Sequence, residues 1–245
     1  MSTNASDAIA GLMAVTQRML ELPPGILSED QVAYVSNVQK RVPPLPTYKE
    51  AVDGKERTFF SASEKDGGDV SSRNPGLFAL FPFGVVYRDT DHFDWMSDTW
   101  KYKVEPERKQ RYIGWQRMVI YAALLGRAEE AKAIISRKLE DAGRLPEEVK
   151  SKHNRFPTFW GPGYDWTPDH NWGGSGMIGL QDMLLQTPDS RIYLLPAWPK
   201  DWDVVFKLHA PKNTVVEGRF ENGKLVNLKV TPKNREKDIV YSDGR

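Results

Sequence analysis

The sequence contains no cysteine among its 245 residues, which excludes disulfide bonds, thiolate zinc sites and cysteine nucleophiles. It also has no excess of charge of one sign, because 34 Lys and Arg balance 33 Asp and Glu. No overall field therefore favours nucleic acid or an anionic membrane. No apolar run approaches the roughly 20 residues of a membrane-spanning helix. The start, MSTNASDAIAGL, has no visible signal peptide, and these absences leave the cellular compartment open.

Tryptophan and proline are abundant, with 8 Trp and 17 Pro. Between residues 156 and 172, aromatic side chains are interrupted by proline and glycine; they are Phe156, Phe159, Trp160, Tyr164, Trp166 and Trp172. Such a run is too loop-like for one core face and favours a cleft wall on which sugar rings stack beside polar groups. The alternative is that these rings are partly buried under neighbouring helices.

Apolar residues at helical spacing predict helices over residues 6–22, 28–42, 106–125, 128–143 and about 174–186. Ser28 and Gln31 have the spacing of a capping box. The first two and the next two helices are expected to form antiparallel hairpins. Residues 46–74 are polar and predict a long surface loop, and the apolar segment that follows, NPGLFALFPFGVVY, is expected to be buried.

From residue 189 the pattern changes to short β-branched or alternating runs, namely RIYLLPAW, DVVFKL, TVVEGRF and KLVNLKV. Asn222-Gly223 between two of them is a strong signal for a tight hairpin. The sequence therefore predicts an α+β protein, with an α-hairpin domain over residues 1–188 and a small antiparallel β-domain over residues 189–245.

Asp169 lies shortly before the predicted helix and four residues before Gly173. A carboxylate there would face the positive end of the helix and stay ionised, as a water-activating base must. The alternative is an ordinary helix cap. The nearby glycines, from Gly173 to Gly179, match no phosphate-binding fingerprint and instead indicate close helix–helix approach.

Asp89, Asp91, His92 and Asp94 resemble a metal cluster but lack the spacing of a calcium loop. A solvated turn or the beginning of a helix accounts for them more simply. The histidines also have no metal-ligand spacing, so we expect neither a metal nor another cofactor.

Several motifs together resemble glycoside hydrolase family 95, which contains inverting α-L-fucosidases and α-L-galactosidases. TPDHNWGGSGMIGLQDMLLQ followed by RIYLLPAWPKDW is similar to the carboxyl-terminal part of that family. The segments VPPLP, LFALFPFG and GWQRMVIYAALLGRAEEAKAII resemble further family motifs in the same order.

The resemblance implies part of a toroid of antiparallel α-hairpins followed by a β-domain. It also implies that Asp169 matches the general base of the family. Around this base, the sugar pocket would be shaped by the loop residues Trp160, Trp166, His170, Asn171 and Trp172. An oligosaccharide or other glycan is then the expected partner, and the parent protein would be periplasmic or secreted.

Two departures accompany the resemblance. The family's general acid is a Glu that precedes the helix corresponding to residues 6–22, and no position of these 245 residues matches it. The family's His-rich stretch reads SSRNP here, so fucose itself is not implied. The chain is therefore expected to be a C-terminal portion with little activity alone, self-associating through exposed helical flanks.

Two alternatives stay open. In the first, the chain is a non-catalytic carbohydrate-binding module. In the second, it is a small complete hydrolase in which Asp169 works with another carboxylate. The candidates for that second carboxylate are Glu105, Glu107 and Asp165.

Overall fold

The computed structural model describes residues 3–65, 75–112, 114–140 and 170–241. Both helices and antiparallel strands are present, so the protein is of the α+β class. The chain divides into two compact units, Met1–Pro106 and Glu107–Arg245. These units do not coincide with the change of sequence pattern near residue 188. None of the described helices combines the length and apolar character needed to cross a lipid bilayer.

The N-terminal unit begins with a short strand and two helices: β1 (Thr3–Ala5), α1 (Ser6–Leu20) and α2 (Glu29–Lys40). The two helices pack against each other. The predicted capping box is confirmed, because the Ser28 amide donates to Gln31 Oε1 at 2.8 Å and the Gln31 amide donates to Ser28 Oγ at 3.2 Å.

The prediction of one long surface loop over residues 46–74 is wrong in its first half. Residues 47–60 form an antiparallel hairpin of β2 (Thr47–Val52) and β3 (Lys55–Phe60), followed by β4 (Ser63–Lys65). Asp53 and Gly54 make its tight turn, with φ angles of 53° and 72°. Both central residues of a type I′ turn need such positive φ angles, and Asp-Gly supplies them at little cost.

The apolar segment after residue 75 is buried, as predicted, with Leu77 at 1% and Ala79 at 0% exposure. It is followed by α3 (Phe93–Asp98), a π-helical turn (Thr99–Lys103) and α4 (Pro106–Lys109). Of the two simpler explanations given for Asp89 to Asp94, a solvated turn or the beginning of a helix, the structure has a turn up to His92 and a helix from Phe93. The Phe60 amide donates to Thr99 Oγ1 at 2.9 Å, which ties β3 to the π-helical turn.

The described part of the C-terminal unit contains three mutually packed helices, α5 (Met118–Leu124), α6 (Ala128–Glu140) and α7 (His170–Leu184). The predicted beginning of the last helix near residue 174 is wrong, because His170, Asn171 and Trp172 already belong to α7 and not to a loop. Gly126 ends α5 as predicted: its amide donates to Ala123 O, and the Arg127 amide donates to Ala122 O. These two bonds form a Schellman motif, which favours a glycine with positive φ, and Gly126 has a φ angle of 71°.

The prediction of one helix over residues 106–125 is wrong. Between α4 and α5 the described residues are not helical, and Gly114 has a φ angle of 55°. The carbonyl oxygens of Tyr112 and Gly114 accept bonds from the Lys138 side chain, at 2.6 and 2.9 Å. The backbone here is used to bind a buried side chain instead of forming helical bonds.

The strands of this unit are β5 (Leu185–Gln186), β6 (Ile192–Leu194), β7 (Val204–Ala210), β8 (Thr214–Glu221), β9 (Lys224–Thr231) and β10 (Ile239–Tyr241). β7, β8 and β9 form an antiparallel meander, and Asn222-Gly223 makes the predicted β8–β9 hairpin turn. β10, however, pairs in parallel with β6, so the expectation of a wholly antiparallel β-unit is wrong at that edge.

Candidate functional site

Of the residues predicted to form the sugar site, the structure describes those at the beginning of α7. Asp169, the candidate base, lies outside the described residues, as do Trp160, Trp166 and Asp165. His170 is the first residue of α7, but its side chain is also outside the described part. Asn171 and Trp172 can therefore be placed in detail, and they occupy different environments.

Trp172 is fully buried, with 0% of its surface exposed. Its indole N–H donates to the Lys138 carbonyl oxygen at 2.9 Å. The edge of the ring meets Tyr112 at 90°, with 6.1 Å between the ring centroids. This is the placement expected of a core tryptophan whose N–H is satisfied, and it links α7 to α6.

Lys138 is a buried cation that the sequence reasoning missed. The residue has 0% exposure, and its ammonium donates to Tyr112 O and Gly114 O. It also lies 5.0 Å from the centroid of the Trp172 ring. A buried charge needs such partners to offset its lost hydration. The sequence does indicate that Lys138 is buried, because it follows Ile134 and Ile135 at helical spacing and so belongs to the same, buried face of α6.

Ser175 completes the polar cluster beneath the first turns of α7. Its hydroxyl lies 2.7 Å from Asn171 O and 3.1 Å from Gly114 O. One hydroxyl hydrogen can serve both acceptors by rotation or sharing. Asn171 itself is exposed. We call the group of Tyr112, Gly114, Lys138, Trp172 and Ser175 the α7 anchor, because it fixes the beginning of this helix to the chain segment before α5.

Among the described carboxyl groups, Asp182 has a pKa well above its ordinary value. Burial disfavours its charged form and raises the pKa to about 7. A carboxyl group with that property suits a general acid. Asp182, however, lies twelve residues after His170 in the same helix, which is about 18 Å at 1.5 Å per residue.

An inverting pair of carboxyl groups is separated by about 6.5–9.5 Å. Asp182 is therefore too far along α7 to assist a base at the beginning of that helix. Of the three other carboxylates considered as partners, Glu105 and Glu107 are exposed, and Asp165 is outside the described part of the chain.

The comparisons with known proteins add no family assignment. No model of a known protein family matches the chain, and no curated protein matches it either. The likeness to glycoside hydrolase family 95 therefore rests on the sequence motifs alone.

Proposed function

We propose that this chain is the C-terminal portion of a carbohydrate-active enzyme similar to the inverting glycoside hydrolases of family 95, with Asp169 as its general base. The observation that carries this proposal is the ordered set of motifs, in which Asp-His-Asn-Trp-Gly-Gly is followed by a Met-Leu-Leu-Gln run and then by a Leu-Leu-Pro-Ala segment.

The α7 anchor supports a positioning role for the beginning of α7. Catalytic groups must be held within a fraction of an ångström of the productive geometry, which requires packed and hydrogen-bonded support. Asp169 directly precedes the first residue of α7. Its backbone is thus attached to a helix that Trp172 and Lys138 fix through buried contacts.

The proposed reaction needs a base and an acid. Asp169 would take a proton from the attacking water as the oxygen bonds to the anomeric carbon, while an acid protonates the departing oxygen. The resemblance matches no residue of this chain to the family's general acid, so natural glycosides should turn over slowly at best. A substrate with a stable leaving anion needs no such protonation, so its rate of hydrolysis should depend on the base and not on the acid.

From the same resemblance we also propose the architecture of the helical part and the partner of the protein. The described helices would belong to a toroid of α-hairpins, and the partner would be a glycan. Exposed apolar side chains on and after α1 and α2, among them Val15, Ile26 and Tyr34 at 55%, 62% and 71% exposure, would make contact with a second copy of the chain.

A non-catalytic carbohydrate-binding module is the second candidate function. It is favoured by the run of aromatic residues between 156 and 172, since aromatic rings beside polar groups suit sugar binding. In this case sugars would bind, but wild type and Asp169→Asn would both show no hydrolysis.

The test compares wild type, Asp169→Asn and Asp182→Asn on 2-chloro-4-nitrophenyl glycosides of α-L-fucose, α-L-galactose, β-D-galactose and β-D-glucose. We expect slow release of the nitrophenolate by wild type, reduced about 10²–10⁴-fold in Asp169→Asn, as for loss of a general base. Asp182→Asn, the matched control on α7, should retain the wild-type rate. Equal rates in wild type and Asp169→Asn would reject Asp169 as the base. Sugar binding without any hydrolysis would favour the binding module.

A further inference from the structure

A cavity of about 390 Å³ lies between the N-terminal end of α6 and the turn that follows β6. Its lining residues are Arg127, Ala128, Glu129, Glu130, Trp198 and Lys200. The volume falls within the range of about 300–1,000 Å³ that is usual for small-ligand sites. The described residues that line it all belong to the C-terminal unit.

The turn that carries Trp198 is held rigidly. The Trp198 indole N–H donates to Trp202 O at 2.8 Å, and the two rings meet edge to face with 5.5 Å between their centroids. Lys132 of α6 forms an ion pair with Asp201 and lies 5.7 Å from the centroid of the Trp202 ring. Trp198 is thus presented as a fixed, half-buried aromatic surface whose N–H is already satisfied.

The other wall is equally well defined. The Schellman motif at Gly126 fixes Arg127, whose amide donates to Ala122 O at 2.8 Å. Two basic side chains, Arg127 and Lys200, and two acidic ones, Glu129 and Glu130, line the cavity. Their formal charges cancel, so the cavity offers hydrogen-bond donors and acceptors together without a net charge.

A ligand for this cavity should have an apolar face for Trp198 and an uncharged polar edge for the surrounding side chains. A neutral sugar ring has this form, since C–H groups cover one face and hydroxyl groups, which both donate and accept, surround its edge. An anion would meet Arg127 and Lys200 but also the carboxylates of Glu129 and Glu130, and like charges in close contact are costly.

We propose that this cavity is a binding subsite for a neutral saccharide, separate from the site proposed around Asp169. Trp198 stacks on the sugar ring, Lys200 donates to its hydroxyl groups, and Glu129 accepts from them. The subsite does not depend on Asp169 acting as a base, and it would serve an enzyme or a binding module equally.

The test is an NMR titration of the full chain labelled with ¹⁵N-tryptophan, in which Trp198→Phe assigns the Trp198 indole signal. The neutral probes are the methyl glycosides of β-D-glucose, β-D-galactose, α-D-mannose and α-L-fucose. Methyl β-D-glucuronide, inorganic phosphate and adenosine are the competing probes. We expect at least one neutral glycoside to shift the Trp198 signal to saturation, and more tightly than any competing probe.

Trp198 also packs against the β-sheet core, so replacing it would disturb the fold as well as the cavity. The affinities of variants at polar lining residues therefore test the subsite. Lys200→Ala and Glu129→Gln should each weaken binding about three- to tenfold, as expected for the loss of a partly exposed charge-assisted hydrogen bond. The exposed controls Lys237→Ala and Glu236→Gln, which lie outside the cavity lining, should bind as wild type does.

Three results would overturn the subsite: no saturable shift with any neutral glycoside, tightest binding of glucuronide, phosphate or adenosine, or unchanged affinity in both Lys200→Ala and Glu129→Gln. Asp169→Asn separates the two proposals, because it should leave this titration unchanged. If Asp169→Asn instead abolishes the Trp198 shift, the cavity is not a separate subsite.

Discussion

Asp182 shows at the level of one residue how the fold changes acid–base chemistry. Its carboxyl lies on α7 in a mostly desolvated position, and burial raises its pKa to about 7 from an ordinary value of 3.8. Folding therefore favours the protonated form. The stabilising contribution is fully present below the unfolded-state pKa and is lost as the pH rises through about 7.

We predict that Asp182→Asn removes this pH dependence, because an amide resembles the neutral acid and cannot ionise. Between pH 5 and pH 8 the free energy of unfolding of wild type should fall, relative to that of Asp182→Asn, by at most about 2–3 kcal/mol. Urea unfolding at the two pH values measures this difference.

Other shifted groups titrate outside this window. Burial raises the pKa of Tyr121 to about 12, while hydrogen bonds from Arg191 and Lys132 hold the pKa values of Asp189 and Asp201 below their usual range. Parallel pH profiles in wild type and Asp182→Asn would show that Asp182 is hydrated like an ordinary surface carboxyl.

The packing of α5 against α7 is an element-scale feature that depends on Gly179. A Cβ atom at this position would lie 2.6 and 2.7 Å from the two γ-carbons of Val119. The sequence prediction that glycines in this helix permit close approach is confirmed at Gly179. At Gly174 it is not, because no described atom lies within 4 Å of an added Cβ.

We predict opposite effects for the two alanine variants of α7. Gly179→Ala should destabilise the protein by about 1–3 kcal/mol, the usual cost of overpacking. Gly174→Ala, the matched control, should stabilise it by about 0.5–1 kcal/mol, because alanine is the better helix former and no described atom lies within 4 Å of its Cβ. Thermal or urea unfolding of both variants measures the difference. If Gly179→Ala is as stable as wild type, the α5–α7 contact is looser than described.

Local signals explain which elements could be predicted from the sequence. Ser28 with Gln31, Gly126 and Asn222-Gly223 each fix backbone geometry within a few residues, and all three were predicted correctly. Asp53-Gly54 is the same kind of signal, but the polar composition of residues 46–74 concealed the β2–β3 hairpin.

Other features depend on partners distant in sequence. The helix predicted over residues 106–125 is interrupted because Tyr112 and Gly114 bind Lys138, which is 24 residues or more away in the chain. Trp172 was predicted to lie in the aromatic loop because its neighbours in sequence are polar and glycine-rich. In the structure it packs between helices, beside Lys138. Helical periodicity could have identified Lys138 as buried, but not its backbone partners.

At the scale of the whole molecule, apolar side chains exposed on the N-terminal unit are expected to mediate self-association. We predict a concentration-dependent dimer in sedimentation experiments. The double variant Val15→Ser with Tyr34→Ser should weaken dimerisation at least tenfold, since both side chains are largely exposed. Val205→Ser is the control, because Val205 is 75% exposed but belongs to the C-terminal unit. A monomer at high protein concentration would contradict this proposal.

The central claim is that Asp169 directs water to the anomeric carbon of a glycoside. The most direct test is a ¹H NMR time course with the most reactive of the aryl glycosides, which records the anomer released before mutarotation. Our account predicts that an α-linked substrate gives the β-anomer first, and that Asp169→Asn gives no such signal. First release of the anomer that retains the configuration of the substrate, or an unchanged time course in Asp169→Asn, would contradict it.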